Sequence, residues 1–407
     1  MRSSLWLPGL CLGLLLLCAP TSWQSGDAYT YVADAAIGEQ LIHPHHLIFN
    51  LILSLGAPWG VPGVLWAGKV HNALAGGLTV GFMGLALRGA SVPKLGAVGL
   101  LWALVGTRAM LGDMGLLVPY AGLLMGSALA AWGMASERPW LAAFGCVVAY
   151  LYHQTGVLLL LPALLSLRGR SWPLLGAAGA MGVAQIVGWW WRAPEQDLLT
   201  WSVLYAQGSN PAWGHQLTSA YQAPLSLVRQ IVWLGDGWTR VLSLPVVMLL
   251  AWGAFRLRSR WRQALPWVAW LAVHLTFFAW WMPSWRWFFT PALLPLLMLA
   301  AIAQLPRRVV VTVALVLIAW NLPNAWGPSV YDLSPSAERA DDLAAYRGPC
   351  SAVGSRWTVE ALWVRHGLPA ALRERRTVQG CVVMHRDDVV GSARRPLDSD
   401  PTLIEVK

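Results

Sequence analysis

Long apolar runs recur along this chain from Leu5 to Trp326, separated by short polar stretches. Most are close to the roughly 20 residues that cross the hydrocarbon core of a bilayer. A soluble core could not bury so many apolar helices, so the pattern predicts an all-α polytopic membrane protein with about eleven transmembrane helices. The predicted spans lie near 5–20, 62–87, 95–112, 114–134, 139–152, 154–167, 173–191, 239–256, 264–282, 287–305 and 309–325.

Two places in this pattern allow a second interpretation. The run Leu5–Pro20 has the length of a signal-peptide core, but no small-x-small cleavage site follows it, so a first transmembrane helix is preferred. The break at Tyr152–His153 could instead lie within one long helix, which would invert every later span.

The distribution of basic residues favours the break and sets the predicted topology. With eleven spans and a cytoplasmic N-terminus, the inner loops collect most of the arginines, as short cytoplasmic loops should. Residues 1–325 then form the transmembrane domain, with outer loops at 21–61 and 192–238, and residues 326–407 form a small extracytoplasmic α/β appendage. We expect an integral protein of the bacterial inner membrane, in contact with membrane lipids.

Composition agrees with a membrane protein, because 57% of the residues are hydrophobic and 12% are charged, against about 25% charged in soluble domains. The net charge of +10 lies among the apolar segments rather than in the tail, which indicates topology and not a nucleic-acid partner. Cys350 and Cys381 lie in the tail, where they could form a disulfide or remain free thiols.

The first outer loop carries the most distinctive polar pattern. On a helix, Asp27, Tyr31 and Asp34 fall on one polar face, and Ala28 and Val32 fall on the opposite face. We therefore predict a short amphipathic helix lying on the outer membrane surface, followed by a histidine-rich turn that contains His43, His45 and His46.

These residue types suit the handling of a charged lipid headgroup. A carboxylate such as Asp27 can accept a proton from an acceptor hydroxyl. Cations and imidazoles can bind a phosphate and stabilise it as a leaving group. The candidate substrate-binding residues are Asp34, Tyr31, His43, His45, His46, Lys69, Arg108, Asp113 and Arg286. Arg108 and Asp113 could equally form a structural ion pair. No metal is assigned, although the three histidines leave a divalent cation as a less favoured alternative.

The acidic residue after the first span, the helical Tyr–Ala spacing and the His-Pro element resemble the GT-C superfamily of membrane glycosyltransferases. More narrowly, they are similar to bacterial relatives of the protein mannosyltransferase and aminoarabinose transferase group. Trp285–Pro291 before an apolar span, and His153-Gln154-Thr155, agree with the same group.

The resemblance implies a sugar donor linked to polyprenyl phosphate and transfer with inversion at the anomeric carbon. It also implies that Asp27 is the catalytic base or supports the acceptor site, and that Arg286 contacts the phosphate. The acceptor would be a lipid, a glycan or a protein. One departure is that Asp27 has no second acid beside it, which argues against a metal-dependent mechanism.

Two other functions remain open from the sequence. A transporter or flippase would show inverted repeats and ionisable groups near the middle of its spans. A polymer ligase would place its key residues in the middle outer loop, 192–238.

Overall fold

The computed structural model describes residues 3–19, 26–38, 41–167, 170–199, 201, 256–281, 290–326, 335–345, 351–353, 356–366, 382–385, 395–397 and 400–406. Its helices are α1 (Leu7–Cys18), α2 (Gly26–Ile37), α3 (Phe49–Ser54), α4 (Gly60–Gly89), α5 (Lys94–Val105), α6 (Arg108–Leu111), α7 (Tyr120–Ala135), α8 (Pro139–Tyr152), α9 (Leu160–Leu167), α10 (Trp172–Arg192), α11 (Trp261–Trp281), α12 (Leu293–Ile302), α13 (Arg307–Trp326), α14 (Pro335–Ala345) and α15 (Arg356–His366).

Apolar helices dominate the described part. Two helical segments there, Ala57–Gly89 and Trp172–Arg192, are long and apolar enough to cross a membrane, and six shorter apolar helices accompany them. The total of eleven spans stays a prediction, because the span near 239–256 lies outside the described residues.

Close helix packing at the centre of the bundle depends on glycine. A Cβ added to Gly133 on α7 would lie 2.2 Å from the backbone nitrogen of Ala142 on α8, and one added to Gly145 would lie 2.2 Å from that of Ala130. These distances are shorter than any contact a real side chain makes, so only glycine allows the two backbones to approach.

The predicted break before His153 is present. α8 ends at Tyr152, and a 3₁₀ helix spans Gln154–Leu159. α9 then returns along α7, where Ser166 donates a hydrogen bond to the carbonyl of Met134 at 3.2 Å.

Two predicted spans have different ends in the structure. α5 is shorter than the predicted span 95–112, since it ends at Val105 before Gly106 and the cap residue Thr107. α7 begins at Tyr120, not at residue 114, after a 3₁₀ turn and Pro119.

The basic loops gather at one end of the bundle. Gly99 lies against Val310, and Asn321 donates to the carbonyl of Gly106 at 2.8 Å, so α5 and α13 run in parallel from that end. Arg260 donates to the carbonyl of Ile302 at 2.8 Å, which brings a further basic segment there. This arrangement agrees with the alternation of loops read from the sequence.

The described part of 326–407 contains two helices and a four-stranded sheet. The strands are β1 (Ser351–Val353), β2 (Val382–His385), β3 (Arg395–Leu397) and β4 (Asp400–Val406), in the order β1-β2-β4-β3. β1 pairs with β2 in parallel, and the other pairs are antiparallel. α14 packs on α15, which in turn packs on α2 of the first loop.

That contact corrects one prediction. α2 forms with nearly the expected bounds, but it does not lie on the surface. Tyr31 and Asp34 of its polar face are buried, as are Ala28 and Val32 of its apolar face. α15 covers the helix, and α3 and α4 also pack against it, so both faces are buried.

Candidate functional site

Four imidazoles converge at the end of the bundle opposite the basic loops. We call His43, His45, His46 and His153 the imidazole cluster. The ring centroids of His43 and His46 lie 5.1 Å apart with the rings nearly parallel, and those of His46 and His153 lie 5.0 Å apart. The cluster forms because the backbone nitrogen of His46 donates to the carbonyl of His43 at 3.0 Å, which closes a tight turn.

Hydrogen bonds hold this turn against α8 and α10. Gln154 donates from its side chain to Nδ1 of His45 and from its backbone nitrogen to the carbonyl of His45. Gln185 on α10 donates to the carbonyl of Pro44 at 3.2 Å and accepts from the hydroxyl of Tyr150 at 2.9 Å. Three segments far apart in sequence therefore fix the positions of the histidines.

Helix α2, in the first outer loop, packs against another side of the cluster. The ring of Tyr31 meets that of His46 edge-on at 5.5 Å, and it meets Phe49 at 5.6 Å. Asp34 is 3% exposed and lies one helical turn after Tyr31. Asp27 lies one turn before Tyr31, in the first turn of α2.

Burial disfavours the charged form of two of these imidazoles, His45 and His46. Burial lowers the pKa of His45 to about 4, against the opposing effect of its hydrogen bond with Gln154. Burial also lowers the pKa of His46 well below its ordinary value, and repulsion from His153 and His45 adds to that effect. In this state each ring offers one donor and one acceptor rather than a positive charge.

An apolar groove lies beside the cluster. Its volume is about 800 Å³, and it runs along α4 between α3 and the start of α7. Apolar side chains line it, among them Ile52, Leu55, Trp59, Trp66, Val70 and Leu74. His71 and Tyr152 reach its inner wall, and Tyr152 directly precedes His153 of the cluster. A molecule with an apolar chain could therefore bring a polar group next to the imidazoles.

The two polar residues of that wall are joined. Nδ1 of His71 bonds to Oδ1 of Asn72 at 3.0 Å, and Nε2 bonds to the hydroxyl of Tyr152 at 3.0 Å. The amide nitrogen of Asn72 donates to the carbonyl of Leu116 at 2.7 Å, so its oxygen faces His71. His71 therefore carries its proton on Nδ1, and its Nε2 accepts a hydrogen bond from the hydroxyl of Tyr152.

The structure brings together some predicted site residues and not others. Tyr31, His43, His45 and His46 meet in one place. Nζ of Lys69 lies 5.4 Å from the ring centroid of Trp66, beside the groove. Arg108 begins α6, and Asp113 begins the 3₁₀ turn Asp113–Gly115.

Several predictions fall outside the described residues. These are the side chains of Asp27 and Asp113, the whole of Arg286, Cys350 and Cys381, and the outer loop 192–238 beyond its first residues. Among the residues with described side chains, no three of His, Cys, Asp and Glu are placed to hold a metal ion.

Sequence reasoning missed His71, Asn72, Tyr152 and His274. His274 is 1% exposed on α11. A signal for His71 and His274 was available, because an ionisable side chain inside an apolar helix marks a functional site by default. Tyr152 carried no such signal, since its role depends on a contact with a residue 81 positions away.

Comparison with known proteins gives one informative match. No family model matches the chain, and no curated protein matches it. The crystal structure of ArnT from Cupriavidus metallidurans, bound to undecaprenyl phosphate, superposes with a TM-score of 0.57 over 98% of this chain and 96% of the other, at 14% sequence identity. ArnT is an aminoarabinose transferase of the GT-C fold. At this level of identity the likeness concerns architecture, and this chain has the helical GT-C fold of that transferase.

Proposed function

We propose that the chain is a membrane glycosyltransferase that moves a sugar from a polyprenyl-phosphate donor to an acceptor. The observation that carries the proposal is the junction of the imidazole cluster with the apolar groove, under a helix that bears acidic residues. The fold shared with a protein that binds undecaprenyl phosphate supports it.

The reaction breaks one bond and forms another. A hydroxyl oxygen of the acceptor attacks the anomeric carbon while the bond from that carbon to the phosphate oxygen breaks. The proton of the hydroxyl passes to the carboxylate of Asp27 as general base. The polyprenyl phosphate leaves with the bonding electron pair, and cationic side chains together with imidazole N–H groups stabilise its charge.

The groove suits the isoprenoid chain of such a donor. Its wall is apolar from Leu55 to Leu74, and Trp59 and Trp66 are exposed, as interfacial aromatic residues are. Lys69 lies beside Trp66, where an ammonium group can approach the phosphate. Arg108 and Arg286 are further proposed phosphate contacts, and Asp34 and Asp113 are proposed contacts of the sugar or the acceptor.

The proposed placement in the cell follows from the loops. The basic end faces the cytoplasm, because short basic loops stay there. The imidazole cluster and the C-terminal region then face the extracytoplasmic side of the inner membrane, where the acceptor is a lipid, a glycan or a protein.

Purified protein in nanodiscs tests this proposal. Undecaprenyl-phosphate-linked hexose, pentose and N-acetylhexosamine donors are supplied with membrane extract as the acceptor source, and released undecaprenyl phosphate is measured. We expect release with one donor class and a loss of at least a hundredfold in the Asp27→Asn variant. The matched control is Glu195→Gln, an exposed acid after α10. Full activity of Asp27→Asn would remove the base assignment, and donor translocation without cleavage would indicate a flippase.

A further inference from the structure

We propose that the imidazole cluster is a proton-linked subsite for the lipid-bound phosphate, which takes up one proton as the phosphate enters. This inference rests on the proposed function and deepens it. It assigns to His45 and His46 a shared proton that balances the charge of the donor and of the departing lipid phosphate.

The geometry of the cluster sets up this behaviour. Its rings lie 5.0 to 6.2 Å apart at the centroids, close enough that two positive charges in one group would repel strongly. Buried, closely spaced sites of this kind titrate as a group rather than one by one. The cluster therefore accepts at most one proton when an anion binds, and the neighbouring rings share that proton.

One ring atom points to a ligand. Nδ1 of His46 is buried, and it finds no hydrogen-bond partner among the described residues. A buried polar atom in this state costs about 1–3 kcal/mol, and a bound group that completes its bonding removes the cost. His46 is 6% exposed and touches both Tyr31 and His153, so it lies at the centre of the cluster.

The burial of the cluster also indicates that its ligand is an anion. Without a bound anion, burial lowers the pKa of His45 to about 4. An anion about 4 Å from an imidazolium favours the protonated form by a factor of about a thousand at an effective dielectric constant near 20. A bound anion therefore raises the pKa of His45 toward neutral pH.

Other titratable groups lie around the imidazole cluster and could take the proton instead. They are Tyr31 and Asp34 on α2, His71 on α4, Tyr120 on α7, Tyr152 and His153 after α8, and His274 on α11. Asp34 is the main competitor, because its buried carboxyl group lies one helical turn after Tyr31, which contacts His46.

The groove indicates that the phosphate belongs to a lipid. Tyr152 lines the groove and is followed directly by His153 of the cluster, so the inner wall of the groove adjoins the imidazoles. An isolated phosphate would gain nothing from the apolar wall.

The test uses undecaprenyl methyl phosphate and the full-length protein in nanodiscs. This diester has one fixed negative charge and does not itself titrate between pH 6 and pH 8, so any pH dependence belongs to the protein. We expect about tenfold tighter binding at pH 6 than at pH 8, and uptake of about one proton measured by calorimetry in buffers of different ionisation enthalpy. Binding that is independent of pH overturns the inference and leaves the proposed function intact. Absence of binding at any pH overturns both.

Variants locate the proton. A His45→Gln/His46→Gln double variant should bind with equal affinity at pH 6 and pH 8, whereas His366→Gln, in the C-terminal region, should keep the tenfold difference. Asp34→Asn should also keep it, and loss of the difference in that variant assigns the proton to the carboxyl group and overturns the proposal. Displacement of the lipid by 10 mM inorganic phosphate would overturn the claim that the site binds the phosphate of a lipid rather than free phosphate. Proton uptake by the unaltered protein serves as the test if the double variant does not fold.

Discussion

Gln185 donates a hydrogen bond from α10 to the carbonyl oxygen of Pro44, across 141 positions of sequence, at a distance of 3.2 Å. The same amide accepts a hydrogen bond from the hydroxyl of Tyr150 on α8. Gln185 is 8% exposed inside an apolar helix, where a polar side chain is costly unless its bonds are made. It therefore serves to position the histidine turn.

Replacing Gln185 by leucine should loosen that turn without altering any group that contacts substrate. Two bonds are lost and two partners are left unsatisfied, so we expect a loss of about 1–3 kcal/mol of stability and at least a tenfold fall in kcat with little change in KM for the donor. Thermal unfolding and steady-state transfer rates check this. Ile186→Ala, at a half-exposed neighbour, is the control, and equal kinetics of the two variants would contradict the positioning role.

Removal of the Tyr152 hydroxyl should leave Nε2 of His71 without its partner at the wall of the groove. In Tyr152→Phe the ring still packs against Gly122, so the expected loss of about 1–3 kcal/mol reports the hydrogen bond alone. The unfolding temperature in detergent is the measurement. Phe144→Leu, at an exposed position of the same helix, should shift that temperature much less.

The close contact of α7 with α8 predicts that a larger side chain at Gly133 will prevent the two helices from packing. Gly133→Val introduces atoms where the backbone of Ala142 already lies, so we expect the two helices to separate and folded protein to be lost. Gly179→Val on α10 is the matched control, because a Cβ added there has open space around it. Fluorescence-detected size exclusion of both variants measures the folded yield. Similar yields would show that α7 and α8 pack less closely than described.

The ion pair between α14 and α15 predicts a pH-dependent C-terminal region. Burial alone would raise the pKa of Asp341, but hydrogen bonds from Arg365 at 2.8 and 3.0 Å and from His366 at 2.6 Å hold it below its usual value. Its contribution to stability is therefore present above about pH 4 and is lost as the pH falls through the lowered pKa.

Amide hydrogen exchange in α15 measures this contribution. Asp341→Asn should exchange faster than the unaltered protein at pH 6, and the difference should shrink on acidification toward pH 3. Asp342→Asn, at the adjacent acid, is the control. Equal exchange rates in α15 for the two variants would show that the ion pair does not hold the helices together.

The sequence predicted helix positions well where apolar runs meet a clear interruption. The break after Tyr152 was found because His153-Gln154 interrupts the run and the basic loops alternate correctly only if the chain reverses there. The C-terminal end of α5 and the start of α7 were missed, since residues 106–119 are nearly as apolar as the helices they join. Hydrophobicity alone does not distinguish a buried turn from a span.

The candidate site was predictable only as far as it is local. The helix from Gly26 and the turn at His43–His46 could be read from neighbouring residues, and the structure brings Tyr31 and His46 into contact. His71, Tyr152 and Gln185 join that site through long-range contacts, which a single sequence does not reveal. The burial of Asp34 was missed for the same reason, because the covering helix α15 begins more than 300 positions later.

The packing of α15 on α2 also sets an order of events during synthesis. At about 5–20 residues per second, translation leaves α2 without its cover for some tens of seconds, while every intervening helix is made and inserted. During that interval α2 has only α3 and α4 to pack against, and the face that α15 will cover has no partner from the C-terminal region. A nascent chain that stalls before residue 356 would therefore lack the cover that α15 gives to α2.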